Sequence, residues 1–257
     1  MKTFTIVTRP EENSKKVAAL LKEKLENKLI WDETNPDLCF TVGGDGTFLY
    51  AVHHYLNNLD KTHFIGIHAG TLGFFTDYRN DEIEQCIEDV MTKEVKVVES
   101  QLLEITIDNS KMKVYALNEM RVENSRRTQL LDIYVNDKKL ETYRGTGICV
   151  CTQIGSTAYN RSVQGAVIQE GLPVIQIAEI AGIHHREFQS LGSPIVLKED
   201  SIVKLVAEDL SGALLCTDSD SQSLDGAHEV ICQLSKKSVK MARYREVSYI
   251  ERLRSLF

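Results

Sequence analysis

The chain has 257 residues, of which 42% are apolar and 26% charged, with a formal net charge of −7 at pH 7. That length and apolar content support one large domain or two ordinary ones with a substantial core. The acidic balance and the lack of any block of five or more basic residues argue against duplex nucleic acid as a partner, and no apolar run approaches a membrane span.

Thr3 to Val7 alternates apolar and polar residues as a first strand. Arg9-Pro10-Glu11-Glu12-Asn13 breaks it and does not read as part of a signal peptide. Asn13 or Ser14 is placed to cap a helix whose apolar face carries Val17, Leu20, Leu21 and Leu25. Leu29 to Trp31 reads as a short second strand, and Asn35-Pro36 turns the chain into a compact buried strand, Leu38 to Val42. A glycine-rich stretch follows, Gly43-Gly44-Asp45-Gly46-Thr47, with Thr47 placed to cap a helix bearing Phe48, Leu49, Val52 and Leu56. Phe64 to Ile67 has strand chemistry and leads into a second glycine loop, Gly70 to Phe75. Asn80 is placed to cap a helix with Ile83, Ile87, Val90 and Met91 on one face. This alternation predicts a Rossmann-like α/β domain over residues 1–94, a parallel sheet with helices on its faces, where ligands collect beyond the carboxyl ends of the strands.

From Val95 the character changes to short β-branched segments. They are Val97 to Ile107, Lys113 to Val122, Leu130 to Val135, Leu140 to Tyr143 and Ile148 to Thr152, then Ile195 to Leu197, Ile202 to Val206, Ala213 to Thr217, Val230 to Leu234 and Val239 to Tyr244. Many short strands predict a mainly β second domain over 95–257, sandwich-like, with the C-terminal segment packing back on the first domain. Leu172 to Phe188 has no clear period, and Tyr249 to Phe257 reads as a short amphipathic helix. The six cysteines fall mostly inside apolar periodic segments and form no Cys-x-x-Cys pair, which points to buried reduced thiols and a cytoplasmic protein. The adjacent pairs His53-His54 and His184-His185 diverge on a helix, so no metal site is assigned.

A strand, a glycine turn and a helix start form a phosphate-binding layout, because glycines let backbone N–H groups approach an anion and the helix N-terminus favours negative charge. Asp45 is the informative residue within it. Beside a phosphate a carboxylate is unwelcome unless it meets a cation, a sugar hydroxyl or a proton in transfer; the alternative is a tight Asp-Gly turn. Asn118 and Glu119 end an apolar strand and together offer several acceptors and two donors for sugar hydroxyls or a base edge. Tyr159 adjoins the small residues Gly155-Ser156-Thr157-Ala158, which would let a flat ring come close. Phe74, between Gly73 and a loop, can line a ligand as readily as a core.

The Gly43-Gly44-Asp45-Gly46-Thr47 loop is shared with lipid kinases of the diacylglycerol kinase type and partly with phosphofructokinases. Three further features separate them: Gly66-Ile67-His68-Ala69-Gly70-Thr71-Leu72-Gly73-Phe74, the dipeptide Asn118-Glu119, and Thr152-Gln153-Ile154-Gly155-Ser156-Thr157-Ala158-Tyr159. With these in order, the chain resembles the NAD kinase family over essentially its full length. The resemblance implies transfer of a phosphoryl group from ATP or polyphosphate, with Mg²⁺ or another divalent cation, to the adenosine ribose 2′-hydroxyl of NAD. It places Asp45 as the residue that accepts or orients the hydroxyl proton, with Gly44, Gly46 and Thr47 on the substrates. It assigns NAD recognition to Phe74, Asn118, Glu119, Thr157, Ala158, Tyr159, Asn160 and Ser162, joined by Arg144, Thr146, Ala181 and the region of Asp218. It also implies a homodimer or homotetramer whose partners are the small molecules NAD and ATP, with neither nucleic acid nor membrane.

Four residues at three places depart from the family pattern. Gln153-Ile154 stands where most members have proline and a small hydroxyl residue, Thr146 where many have aspartate, and Ser219 where glycine is common. These departures predict a working kinase with altered fine recognition. A lipid kinase and a non-catalytic dinucleotide-binding protein are the rival readings.

Overall fold

The computed structural model describes every residue except Ala69, Thr71, 184–189 and Phe257. Two residues of the Gly66 to Phe74 motif and the His184-His185 pair therefore lie outside the described residues. The chain divides into two compact units, Met1–Glu99 with Lys237–Phe257, and Ser100–Lys236. The expected partition at 94/95 counted the C-terminal segment in the second domain while packing it back on the first; residues 237–257 group with the first unit.

The first unit runs β1 (Thr3–Thr8), α1 (Glu12–Leu25), β2 (Ile30–Trp31), β3 (Leu38–Val42), α2 (Asp45–His54), β4 (His63–His68), β5 (Tyr78–Arg79) and α3 (Ile83–Thr92). β2, β1, β3 and β4 lie side by side and all parallel. β3 is buried at every residue, as a central parallel strand covered on both faces must be, which is why it reads as one unbroken apolar run. Phe40, Val42, Ile65 and Ile67 face Leu21 and Leu25 of α1 and Ile83 and Ile87 of α3 in one core cluster. Phe64, one residue out of phase with Ile65, meets Phe48 of α2 at 5.6 Å between ring centroids. Helices thus cover both faces.

None of the three expected caps forms. α1, α2 and α3 take Glu11, Gly44 and Glu82 at the N-cap, and no side chain caps any of them. Leu20, expected on the buried face of α1, is 44% exposed; the buried stripe is Ser14, Ala18, Leu21 and Leu25. That spacing of four, three and four residues keeps one face of the helix inward.

The second unit contains β6 (Lys96–Ile107, from Ser100), β7 (Val114–Ala116), β8 (Glu119–Glu123), β9 (Gln129–Val135), β10 (Lys138–Gly145), β11 (Gly147–Thr152), a short helix α4 (Tyr159–Ser162), β12 (Val174–Ile180), β13 (Ile195–Lys198), β14 (Val203–Val206), β15 (Leu214–Thr217), β16 (Asp220–Ser223) and most of β17 (Glu229–Arg243). One antiparallel sheet has the order β13-β12-β11-β8-β15-β16; opposite it lie β10-β9-β14-β17, with β6 and β7. Met120, Val122, Ile148 and Val150 of the first sheet share a core with Leu131, Ile133, Val203 and Leu205 of the second, which makes this unit a β-sandwich. The turn between β9 and β10 places Asn136 at φ 49° and Asp137 at φ 61°, the left-handed pair that a two-residue hairpin needs. A final helix, α5 (Tyr249–Arg254), belongs to the first unit.

Candidate active site

In the first unit the chain leaves β3 through Gly43, where a Cβ would meet Thr47 Oγ1 at 2.2 Å and Arg9 Cγ at 2.9 Å. Only glycine passes. Gly44 then caps α2 with extended backbone (φ −97°, ψ −169°), and the helix begins at Asp45. Thr47, expected at the cap, is instead the third residue of the helix, buried, with its hydroxyl unpartnered. No side-chain oxygen caps this turn; the Thr47 N–H bonds Gly44 O at 2.9 Å, and the Asp45 and Gly46 N–H groups ahead of it are the ones an anion can meet.

Asp45, half-buried, reaches across to the second glycine loop. Its Oδ2 accepts the Phe74 N–H at 3.1 Å and its Oδ1 accepts the Phe75 N–H at 3.2 Å. A Cβ on Gly73 would stand 2.2 Å from Asp45 Oδ1, so the bare α-carbon is what permits the approach. The carboxylate thereby joins two loops 29 residues apart in sequence. Each oxygen keeps further lone-pair capacity for a hydroxyl proton or a cation. Phe74 contributes its backbone here; its ring is buried and turned edge-on to Tyr249, 6.2 Å between centroids.

A cleft of about 720 Å³ opens at the N-terminus of α2, lined by Gly44, Asp45, Gly46, Thr47, Arg9, Lys15 and Tyr50 among others. Sequence reasoning gave Arg9 only to the break after β1 and passed over Lys15. The signal that finds Arg9 is its place immediately past the carboxyl end of a parallel strand, where its N–H bonds Val42 O at 3.2 Å beside the glycine loop. Two cations and a helix N-terminus lining one cleft suit a polyphosphate chain.

In the second unit, Asn118 and Glu119 lie where the expected strand Lys113 to Val122 breaks into β7 and β8. Asp218 holds this break open. Its Oδ2 accepts the Leu117 N–H at 2.8 Å, and its Oδ1 accepts the Asn118 N–H at 2.7 Å and the Glu119 N–H at 3.4 Å. Asp218 sits at φ 50° in the two-residue turn joining β15 to β16. Gly155 packs on the other side, where a Cβ would be 1.9 Å from Asn118 O. Asn118 and Glu119 are both buried, and Asn118 Oδ1 and Glu119 Oε2 have no hydrogen-bond partner. Burial pushes the Glu119 carboxyl up to about 7, with the negative charge of Asp218 as the second cause; Arg121 and the Tyr159 backbone work the other way. A carboxyl so placed can donate as well as accept at neutral pH. The Arg121 guanidinium stacks 4.0 Å from the Tyr159 ring centroid and bonds Glu123 Oε2 at 3.0 Å. Thr157, Ala158 and Tyr159 are half-buried beside this group and Ser162 is exposed. Asn160 is fully buried, its Nδ2 donating to Ser156 O and Ala166 O at 3.1 Å each and its Oδ1 unpartnered.

Arg144, Thr146 and Ala181 do not join this group. Glu119 pairs with Cys151 near one end of β11, while Gly147, beside Thr146, pairs with Glu123 and Ile180 at the other end. Five residue steps along the strand lie between Thr146 and Cys151, about 17 Å. Tyr143 shapes that far end: its hydroxyl donates to Ile180 O at 2.6 Å and accepts the Gly147 N–H at 2.9 Å. Of the departures from the family pattern, Gln153 keeps φ at −55°, the value proline would impose, and its Nε2 ties to Ile168 O at 3.0 Å. Ile154 and Thr146 are half-buried and Ser219 is exposed.

A helix N-terminus carrying an aspartate and facing cationic side chains, in an α/β unit followed by a β-sandwich with buried unpaired polar atoms, suits a phosphotransferase that uses a nucleotide. Residues 6–95 match the ATP-NAD kinase N-terminal domain and residues 117–244 the ATP-NAD kinase C-terminal domain. NAD kinase 1 of Oceanobacillus iheyensis is 35% identical over 99% of this chain and 97% of its own length. The NAD kinase of Limosilactobacillus reuteri is 36% identical over 95% of this chain and 94% of its own. Among solved structures, yeast NADH kinase complexed with NADH superposes with a TM-score of 0.83 at 19% identity, covering 100% of this chain and 86% of that one. An NAD kinase from Archaeoglobus fulgidus in complex with ATP gives 0.75 at 21%, covering 99% of each. The chain belongs to the NAD kinase family, and it is a kinase.

Proposed function

We propose that the chain transfers the terminal phosphoryl group of ATP to the 2′-hydroxyl of the adenosine ribose of NAD, giving NADP and ADP. The observation that carries this reading is the Asp45 carboxylate, fixed by two amides at the lip of a cleft that also holds Arg9, Lys15 and a helix N-terminus. The donor's phosphates lie against the first turn of α2, with Arg9 and Lys15 offsetting their charge. The hydroxyl oxygen bonds the γ-phosphorus as the bond to the bridging oxygen of ADP breaks, and the hydroxyl proton passes to Asp45. Phosphoryl transfer has a loose transition state, so position and charge neutralisation matter more than the strength of the base. Asn118 and Glu119 recognise hydroxyls or a base edge of the dinucleotide, and Tyr159 offers a stacking face. Phe74, Thr157, Ala158, Asn160 and Ser162 support that recognition, as do Arg144, Thr146 and Ala181 at their separate location.

No group of three metal-ligating side chains occurs among the described residues, and Asp45 is the one carboxylate in the cleft lining. These residues do not fit a resident metal cage; a divalent cation such as Mg²⁺ is read as part of the donor substrate, where it would offset phosphate charge. Polyphosphate in place of ATP, assembly as a homodimer or homotetramer, and a cytoplasmic setting remain part of this reading. The setting is supported by six buried free thiols.

Purified protein incubated with NAD, ATP and Mg²⁺ is expected to yield NADP. Asp45→Asn should lower kcat by about 10²- to 10⁴-fold while calorimetry shows NAD still bound. Wild-type turnover in that variant would remove Asp45 from the chemistry, and absence of NADP from the wild type would leave a dinucleotide-binding protein.

A further inference from the structure

We infer that Arg252, on the C-terminal helix, is a positioning residue for Asp45, acting through the peptide group that links Phe74 and Phe75. The inference rests on the reading of Asp45 given above. Arg252 is 4% exposed, far from the usual state of an arginine on a terminal helix of six residues. Its Nη1 donates to Phe74 O at 3.0 Å and to Thr76 O at 2.8 Å, and its Nη2 bonds the Asp77 carboxylate. The Phe74 carbonyl and the Phe75 N–H belong to one planar trans peptide and point in opposite directions. Arg252 holds the carbonyl end, and the N–H end is the donor to Asp45 Oδ1 at 3.2 Å. Fixing one end of a rigid plane fixes the other. The Phe74 N–H, on Asp45 Oδ2 at 3.1 Å, follows from the same segment.

Neutralising Asp77 does not by itself account for Arg252. Arg243 already pairs with Asp77 Oδ1 at 2.6 Å and reaches Phe74 O only at 3.4 Å. What Arg252 adds is two carbonyl contacts of 3.0 Å or shorter on the loop that carries Asp45's donors. The helix is built to present it: Ser248 and Glu251 form a reciprocal capping box, with bonds of 3.1 and 2.9 Å, and Tyr249 sets its ring against Phe74. Six residues are too few for a helix to persist without such docking.

The test compares Arg252→Ala, Arg252→Lys, Asp45→Asn and, as a control on the exposed side of the same helix, Arg254→Ala. Steady-state kinetics with NAD and ATP varied should show kcat reduced roughly 10- to 100-fold in Arg252→Ala with KM for NAD little changed, the pattern of a displaced reacting group. Added guanidinium ion should recover part of that kcat. Amide exchange in peptides covering Phe74 and Phe75 should quicken in Arg252→Ala and stay at the wild-type rate in Arg254→Ala. Wild-type kcat in Arg252→Ala, or lost kcat with neither faster exchange nor guanidinium recovery, overturns the inference. Should Arg252→Ala lose its cooperative melt, Arg252→Lys decides: an intact melt with lowered kcat upholds the role, and full kcat ends it. If Asp45→Asn keeps full turnover, the reading of Asp45 fails on its own, and the exchange rates still report whether Arg252 orders its two donors.

Discussion

Asp45 in the first unit and Asp218 in the second make the same kind of contact and leave different groups in play. Each accepts consecutive backbone N–H groups from a segment distant in sequence: Phe74 and Phe75 for Asp45, Leu117 to Glu119 for Asp218. Around Asp45 the lining is glycine, helix terminus and cationic side chains, and the aspartate itself faces the cleft. Asp218 instead serves as an anchor, and the groups without partners belong to the residues it anchors, Asn118 Oδ1 and Glu119 Oε2. An unsatisfied buried polar atom costs about 1–3 kcal/mol, and a ligand that supplies the missing partner recovers that cost. On the function proposed above, the first region handles charge and the hydroxyl proton, and the second recognises its ligand by pairing.

The largest effect should come from breaking the first arrangement with one methyl group. Gly73→Ala places a Cβ where Asp45 Oδ1 now sits, 2.2 Å away, and the contact is with the carboxylate itself. Either the second loop or Asp45 must shift. We expect kcat to fall about as far as in Asp45→Asn, roughly 10²- to 10⁴-fold, with NAD affinity retained because the second unit is untouched. Joint loss of NAD binding, measured by calorimetry, would show that the two regions do not divide the work as described.

The second region is tested by pH. Glu119 has its carboxyl raised from 4.5 to about 7, so between those values the folded chain keeps a proton that the unfolded chain has lost. Stability from this group is therefore present at low pH, declines as pH rises from about 4.5, and is gone above about 7, a total near 3 kcal/mol. The shifted aspartates and other glutamates, such as Asp37, Glu82 and Asp89, are lowered and act only below that window. Denaturant titrations of wild type and Glu119→Gln at several pH values should thus converge near pH 4.5 and separate toward pH 7, with the variant the more stable. Parallel curves would mean that Glu119 is charged in the folded chain and cannot donate to a ligand.

The two regions differ in how much of each is written in local sequence. The glycine loop and Asp45 are local, and Asn118, Glu119 and Tyr159 sit in the short contiguous motifs that carry the family resemblance. Thr47, Asn13 or Ser14, and Asn80 have capping chemistry, yet the backbone puts Gly44, Glu11 and Glu82 at the N-caps. β12 lies in the stretch without a clear period because it is buried on both faces, which erases alternation. β16 is wholly exposed and polar, and exists as the return strand of a turn at Asp218. The polar stretch Ser235 to Ser238 divides β17 into two strands in the sequence pattern, yet one strand runs unbroken from Glu229 to Arg243. Arg252, Arg243 and Asp218 act at separations of about 100 residues or more, which no local pattern encodes.

The smallest effect sharpens the picture of the second region. Arg121 stacks on Tyr159 at 4.0 Å while its Nη1 bonds Glu123, so one guanidinium steadies the aromatic face and sits near Glu119. A cation–π contact of this partly desolvated kind is worth about 1 kcal/mol. Arg121→Met keeps length and apolar bulk but removes the charge, and NAD affinity should weaken about fivefold, the equivalent of that energy. A second consequence separates stacking from electrostatics. Arg121 is the larger of the two influences that pull the Glu119 carboxyl down, so its loss should move the Glu119 transition above about 7 and widen the pH window over which stability declines. Weaker binding with an unmoved transition would leave Arg121 as a support for Tyr159 alone, and a moved transition with unchanged affinity would mean that the Tyr159 face is not where the dinucleotide stacks.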